Sequence, residues 1–547
     1  MKKVLIFFFS IFCGLYSIAQ SLNTEVLDFH SYNKSYMMGE DFMISNSNQL
    51  LGLKISDYNP ALLHIQNQSE QKENNDSILK GNTIIRLNYE KIKTEGVYSS
   101  FYGNDLDNKE ISALWLYPLD RNSSFLGKAS VGLGRDKGVL WNMTRYPSIF
   151  SPYVMMNEKG GDYEYQDYNF KGIYSKQLND RFLLGAEVEY RGEYAHKDTD
   201  PRTKNMTSWL SAGMGVALSD KRSNVYSLFA KYTNNIQKTE ADLWKGNIKE
   251  RFLLMRGFGM FDNVMSENLY SKKRAYFVNN YQLGASSQIA VTSKTKLDFG
   301  FSYTYSHLKT EEQNTVNLFN LTTNKLEMNL FLESILSERL SFSTFFNAIY
   351  VAKKGKENIY SLVNVNPDNE SIYDYNRIGV LENYTQQQNV LHNLSKLSYK
   401  LTKNKKLSFI AGAEYENSKE KYKGSQFITD YENIQSKLGI EFLTNFKKSV
   451  FNTTIFYTYK DNLYFENVLD QTYPNIFDPI YSQHLASQLL VKNSFSMDVN
   501  YLRSLQNGSK LGVDLAITYS KGKNKAFTVF DDKNSELWTN FSVYYLF

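Results

Sequence analysis

Segments of strict apolar–polar alternation recur along this chain from about residue 83 to its last residue, and the connections between them are alternately short and long. In "LGVDLAITYS", Leu511, Val513, Leu515, Ile517 and Tyr519 share one face, opposite Gly512, Asp514, Ala516, Thr518 and Ser520. "LDFGFSYTYS" sets Leu297, Phe299, Phe301, Tyr303 and Tyr305 against Asp298, Gly300, Ser302, Thr304 and Ser306, and "LSFIAGAEYE" repeats the pattern from Leu407. Period two of this quality specifies strands with one apolar and one polar face. Tight connections such as Asn179-Asp180, "TSK" (292–294), "KNK" (403–405) and Lys447-Lys448 take turns with long ones at 135–164, 237–276, 353–390 and 462–487. A soluble sandwich or propeller has no reason to keep that order. A transmembrane barrel does, because its turns are short on the periplasmic side and its loops long outside.

The expected fold is therefore all-β: a transmembrane antiparallel β-barrel of about 18 strands (16–18), with short periplasmic turns and long extracellular loops. The first strand is expected at 83–102 and the last at 536–547, with others at 224–236, 339–352 and 391–402. Both termini fall on the short-turn side, so the strand number is even. Composition agrees. The 547 residues include 41 Tyr and 36 Phe but only 8 Pro, and aromatic residues favour strands. Mean hydropathy is −0.46, as expected where greasy and polar positions alternate. The formal charge of +5 is too weak to argue for nucleic acid as a partner.

The segment "MKKVLIFFFSIFCGLYSIAQ" has two lysines, an apolar run over 4–16 and small residues at 17 and 19. It reads as a signal peptide (1–19) cut before Gln20. Cys13 is the single cysteine and lies inside that apolar run, where the bulky Phe12 before it argues against lipidation. The exported chain thus has no thiol for disulfides or metal. Residues 20–82 form a polar N-terminal segment, either periplasmic or a small inward hatch, and 83–547 the barrel.

The chain ends "SELWTNFSVYYLF". A strand that runs to the final residue leaves an exposed edge unless it is paired, and pairing with the first strand closes a cylinder. Phe541, Val543, Tyr545 and Phe547 then face lipid. A terminal Phe preceded by hydrophobics at every second position resembles the C-terminal signal of Gram-negative outer-membrane barrels, which implies recognition by the barrel-assembly machinery and residence in the cell outer membrane. "DTDPRTKN" (198–205) resembles an element of a poorly characterised family of outer-membrane barrels, from glycan-using Gram-negative bacteria, without an assigned substrate.

No G-x-S-x-G, Walker or dinucleotide motif is present, and no two of the six histidines have ligand spacing. Neither an enzyme, a metal nor a cofactor is expected. The polar faces supply candidates for the lumen wall: Glu187, Glu189, Arg191, Glu193, Asp298, Lys396, Glu414, Glu416 and Asp514, with Lys128, Lys400, Lys437 and Glu441 beside them. Such charges either line an aqueous path or pair across the wall and anchor in-folded loops. Mixed signs favour small polar solutes over one ion sign. Two loops are unusually apolar. One (139–156) carries Trp141, Tyr146, Phe150 and Tyr153; the other carries Trp244 and "FLLMRGFGMF" (252–261). Apolar area of this size is buried against something: the barrel mouth, a ligand, or a partner. Two functions remain open: a channel or gated uptake pore for a small polar solute or nutrient, and an occluded barrel that docks a surface lipoprotein or TonB-dependent receptor.

Deleting Phe547 should slow assembly and expose the chain to periplasmic proteolysis, read as a loss of the folded species in pulse-chase experiments. Normal surface levels of the truncated chain would remove the assembly role of the ending.

Overall fold

The computed structural model describes residues 58–65, 82–98, 101–157, 159–220, 224–242, 252–258, 260–261, 272–312, 316–364, 373–468, 478–506, 508–525 and 534–547. The expected signal peptide, most of 20–82 and Trp244 lie outside them. Eighteen strands form one antiparallel sheet. In chain order they are β1 (Asn82–Glu95), β2 (Asp105–Asp120), β3 (Ser123–Val139), β4 (Gly161–Gln177), β5 (Phe182–Lys197) and β6 (Arg202–Ser219). β7 (Val225–Asp242), β8 (Lys273–Thr292), β9 (Thr295–Glu312), β10 (Phe319–Ile335), β11 (Leu340–Asn364) and β12 (Tyr373–Thr402) follow. The last six are β13 (Lys405–Tyr422), β14 (Phe427–Phe446), β15 (Ser449–Val468), β16 (Leu490–Ser504), β17 (Lys510–Asn524) and β18 (Asn534–Leu546). Each pairs with its sequence neighbours, and β18 pairs with β1 from Leu546 opposite Ile84 to Ser535 opposite Glu95. The Phe547 N–H donates to the Thr83 carbonyl at 2.9 Å, so the ladder is closed to the final residue.

The two faces separate as the alternation requires. Met214, Leu283 and Leu438 point outward with 68%, 61% and 61% exposure, among dozens of exposed aliphatic and aromatic side chains. Such a surface belongs in hydrocarbon, not water. Phe541 and Phe547 lie on it, exposed, and Val543 and Tyr545 are half-buried on the same side. No described helix is long and apolar enough to cross a membrane; the crossing is made by strands. The inner wall is less uniformly polar than the alternation implies. Phe331, Phe345, Leu394, Ile410 and Phe456 pack together on it.

Several expected boundaries move. The first strand stops at Glu95, where Gly96 takes φ 84°. The region expected as a loop at 353–390 is mostly strand, because β11 runs on to Asn364 and β12 starts at Tyr373. β7 likewise continues to Asp242, and part of 462–487 is strand to Val468 followed by a helix at Asp478–Gln488. A strand needs only about 9–11 residues to cross a bilayer, so β11 (25 residues) and β12 (30 residues) project far beyond it on the long-loop side. Above the pairs Phe319–Glu357 and Tyr384–Tyr422 they are bonded only to each other.

Inside the wall, rings lie across glycines on the neighbouring strand. Gly512 faces Tyr544, Gly439 faces Phe456 and Gly284 faces Phe229, each a direct cross-strand pair. A methyl group at any of the three would overlap the ring. Gly512→Val should therefore overpack the seam next to the closing strand and cost about 1–3 kcal/mol, measured as a lower urea midpoint for the folded, heat-modifiable form.

Candidate functional site: two loops folded into the barrel mouth

At the long-loop end, the connection from β3 to β4 turns inward. Pro147–Phe150 makes one helical turn, α1, with the proline at its start, where its missing N–H is least costly. Met155–Asn157 then pairs with Phe252–Gly257 of the β7–β8 connection, Met155 opposite Leu254 and Asn157 opposite Phe252, and that strand pairs with Met260–Phe261. The two loops thus build a separate three-stranded sheet. Side chains of the two loops form the centre of the largest apolar cluster among the described residues: Phe150, Tyr153, Met155, Leu253 and Leu254 are each 0% exposed. Wall residues complete the cluster. Phe150 stacks on Tyr276 of β8 at 4.0 Å between centroids, and Tyr153 stacks on Phe319 of β10 at 4.4 Å. Gly355 of β11 has no side chain because the Tyr153 hydroxyl occupies that space.

Polar ties join the loops to three sectors of the wall. Arg145 donates to Glu193 of β5 at 2.8 Å and also pairs with Asp136 of β3. Its guanidinium lies 3.8 Å from the centre of the Tyr165 ring of β4. The Tyr146 hydroxyl donates to Glu193 and accepts from Arg191 at 2.7 Å, while its ring meets Trp209 of β6 edge-on. Asn205 of β6 donates to the Met143 carbonyl at 3.0 Å. In the second sector Arg274 bonds Glu312 at 2.8 Å and the Tyr153 carbonyl at 3.0 Å, with both members of the ion pair fully buried. In the third, Arg256 on the second loop bonds Glu357 at 2.9 Å, and Tyr422 donates to the same carboxylate at 2.8 Å. Burial raises the Tyr146 and Tyr153 hydroxyls well above the ordinary phenol range, so Tyr146 keeps the proton it gives to Glu193.

Of the residues expected on the lumen wall, Glu193 and Arg191 belong to this attachment. Glu187 pairs with Lys231 at 2.8 Å, and Glu189 accepts from Asn169 at 3.3 Å with Lys171 at 4.0 Å. Lys396 pairs with Glu441 at 2.7 Å, which also accepts from Ser408. Glu416 accepts from Gln388, Tyr431 and Asn433, and Asp514 from Arg86, Asn500 and Ser542. Asp298 is buried and Glu414 half-buried. Glu187, Glu189, Lys396 and Asp514 each have an oppositely charged partner on the wall. Trp141 packs half-buried against the apolar cluster, with Tyr146, Phe150 and Tyr153 inside it. The sequence offered no way to foresee Arg145, Arg274, Glu312, Arg256 and Glu357, since each partner is remote in the chain.

A second inward element sits at the short-turn end. Asn59 caps a single turn at Pro60–Leu62, its side chain accepting from the Ala61 N–H at 3.0 Å. This turn lies against the inner wall of β3 to β7. The Asn59 amide donates to the carbonyls of Leu228 and Val216, Ser175 donates to the Ala61 carbonyl at 2.8 Å, and His64 Nδ1 and the Ser124 hydroxyl are 2.9 Å apart.

Removing one member of a fully buried ion pair leaves the other without compensation, at a cost of about 3–5 kcal/mol. Arg274→Ala should loosen the β3–β4 loop and make residues 140–157 cleavable by external protease on intact cells, with the barrel itself still heat-modifiable.

No curated protein matches the chain significantly. Among solved structures it is similar to BauA, the ferric preacinetobactin receptor of Acinetobacter baumannii, at 9% identity over 85% of this chain and 80% of that one, with a TM-score of 0.40. It is similar also to the outer-membrane transporter YddB of Escherichia coli, at 10% identity over 85% and 80% of the two chains, with a TM-score of 0.40. The model of a family of unknown function (DUF6850) matches residues 110–547, from within β2 to the C-terminus, and the chain belongs to that family.

Proposed function

We propose that the protein is a gated uptake pore of the outer membrane for a small polar solute or nutrient, held closed by its own loops. The observation that carries this reading is the inward sheet of the β3–β4 and β7–β8 loops, which buries their aromatic and methionine side chains in the mouth and ties them to the wall through Arg145, Arg256 and Arg274. Burial of each large side chain is worth at most about 1.5–3 kcal/mol, so the closed arrangement is stable yet within reach of a ligand that binds the open one. Cross-wall pairs such as Glu187–Lys231 and Glu189–Lys171 mix the two signs at the same level. A wall of that kind suits an uncharged or zwitterionic solute better than one sign of ion.

A docking role has its own support. The two-stranded arm of β11 and β12 beyond Tyr384 exposes Val363, Ile378, Val380 and Leu381. An isolated two-stranded ribbon is marginal in water, and a surface lipoprotein or receptor laid along it would cover that apolar area.

Planar-bilayer conductance separates the two. Deleting residues 142–156 and 252–261 together should raise single-channel conductance severalfold with weak ion selectivity. A deletion variant that folds, reaches the surface and conducts no more than wild type would rule out the loop gate and leave docking.

A further inference from the structure

One level of the inner wall near the short-turn end is made of small residues on four consecutive strands. Ser124 of β3 faces Ser175 of β4, Ser175 faces Gly185 of β5, and Gly185 faces Gly215 of β6. This row runs across the strands rather than along them. The chain from Asn59 to His64 lies in it from one end to the other. Asn59 and Pro60 cover the two glycines, where a methyl group at Gly215 would overlap the Asn59 side chain and one at Gly185 the Pro60 backbone. Ser175 holds the Ala61 carbonyl and Ser124 meets the His64 ring. Ala61 and Leu62 pack on Leu183, Ala217 and Val225 at the lower rim. Ser124, Ser175 and Ala61 are each 0% exposed.

We infer that the Ser124–Ser175–Gly185–Gly215 row is a peptide-binding site, occupied in cis by Asn59–His64, and that its occupant is a releasable latch at the periplasmic end of the pore. The site takes a short peptide of the form Asn-Pro-small-Leu. Asparagine is required for two donors and one acceptor at once, proline sets the turn, and only a small side chain fits at 61. Release costs the barrel nothing in its own ladder, because the segment pairs with no strand and β3 to β7 remain fully bonded to one another. The apolar contact is a small cluster, Ala61, Leu62, Leu183, Ala217 and Val225 with Ile65 packed against it, and the polar groups left behind on the wall face the lumen, where water can reach them. The loop sheet and this latch therefore stand at opposite ends of one lumen. The gating half of the inference rests on the pore reading above; the binding half does not.

The test uses the full chain, whose one native cysteine is at position 13. Ser175→Cys places a thiol under Ala61, and its rate of reaction with a small maleimide reports whether the site is covered. With the native segment, labelling should be slow. Combining it with Asn59→Ala and Ala61→Asp should speed labelling at least tenfold, and a synthetic peptide of residues 58–65 should restore protection. Gly185→Ala, which crowds the same segment from the wall side, should act like the segment variant. Heat-modifiable migration confirms that each barrel is folded. Equal labelling rates with native and altered segments would overturn the site. For the gate, the segment variant is placed in the loop-deleted barrel, where release of the latch should raise conductance at least twofold over loop deletion alone. Unchanged conductance on release would overturn the latch, whereas failure of loop deletion itself to open the channel would count against the pore reading.

Discussion

In hydrocarbon no water is available to an unpaired backbone group, and each one left open costs several kcal/mol. This requirement organises the molecule. It forces the strands into a closed cycle, and the pairing of β18 with β1, completed by the Phe547 N–H on the Thr83 carbonyl, is the contact on which every other strand depends. Once the cycle is closed, side chains are sorted without further choice: one set meets lipid, and the other meets whatever fills the bore. Both groups of inward elements, the loop sheet at one end and the capped turn at Pro60 at the other, are consequences of that second set having to be covered or solvated.

The inner wall meets its polar obligations mostly by internal pairing. Arg145, Glu193, Asp136, Tyr146 and Arg191 form one network in which no member is near in sequence to all its partners. Buried ion pairs of this kind contribute little net stability, but they penalise any arrangement that separates them. They define where the loops sit rather than how firmly. The apolar stacking of Phe150 on Tyr276 and Tyr153 on Phe319 supplies the cohesion, and the charges supply the register. A loop assembly held in this way has one defined arrangement on the wall, not a range of partial ones.

Much of the cylinder was legible in the sequence because lipid enforces period two over every crossing segment. "LGVDLAITYS" and "LDFGFSYTYS" fall on β17 and β9 with Leu515 and Phe299 outward. The same rule explains where reading failed. Beyond the lipid the outer face need not be apolar, and the inner face carries buried polar anchors such as Lys353 and Glu357, so 353–390 lost its alternation although its described residues are strand in β11 and β12. That Tyr146, Phe150 and Tyr153 would be covered by something was legible from composition, since exposed apolar patches of that size are rare, but whether the mouth, a ligand or a partner covers them was not. Their partners were not, because an ion pair such as Arg274–Glu312 needs two strands to be placed side by side before it exists. Gly185 and Gly215 likewise look like ordinary strand glycines until their pairing places them side by side beneath Pro60 and Asn59.

The glycines that lie beneath aromatic rings have a bearing on how such a barrel changes over generations. Tyr544 over Gly512, Phe456 over Gly439 and Phe229 over Gly284 are each a single lock shared between adjacent strands. A larger residue at the glycine is excluded while the ring stays, and loss of the ring leaves a bare patch of backbone facing the lumen. Substitutions at the two positions are therefore expected to travel together, so that pairs of neighbouring strands drift as units while the lipid-facing positions between them exchange one aliphatic residue for another freely.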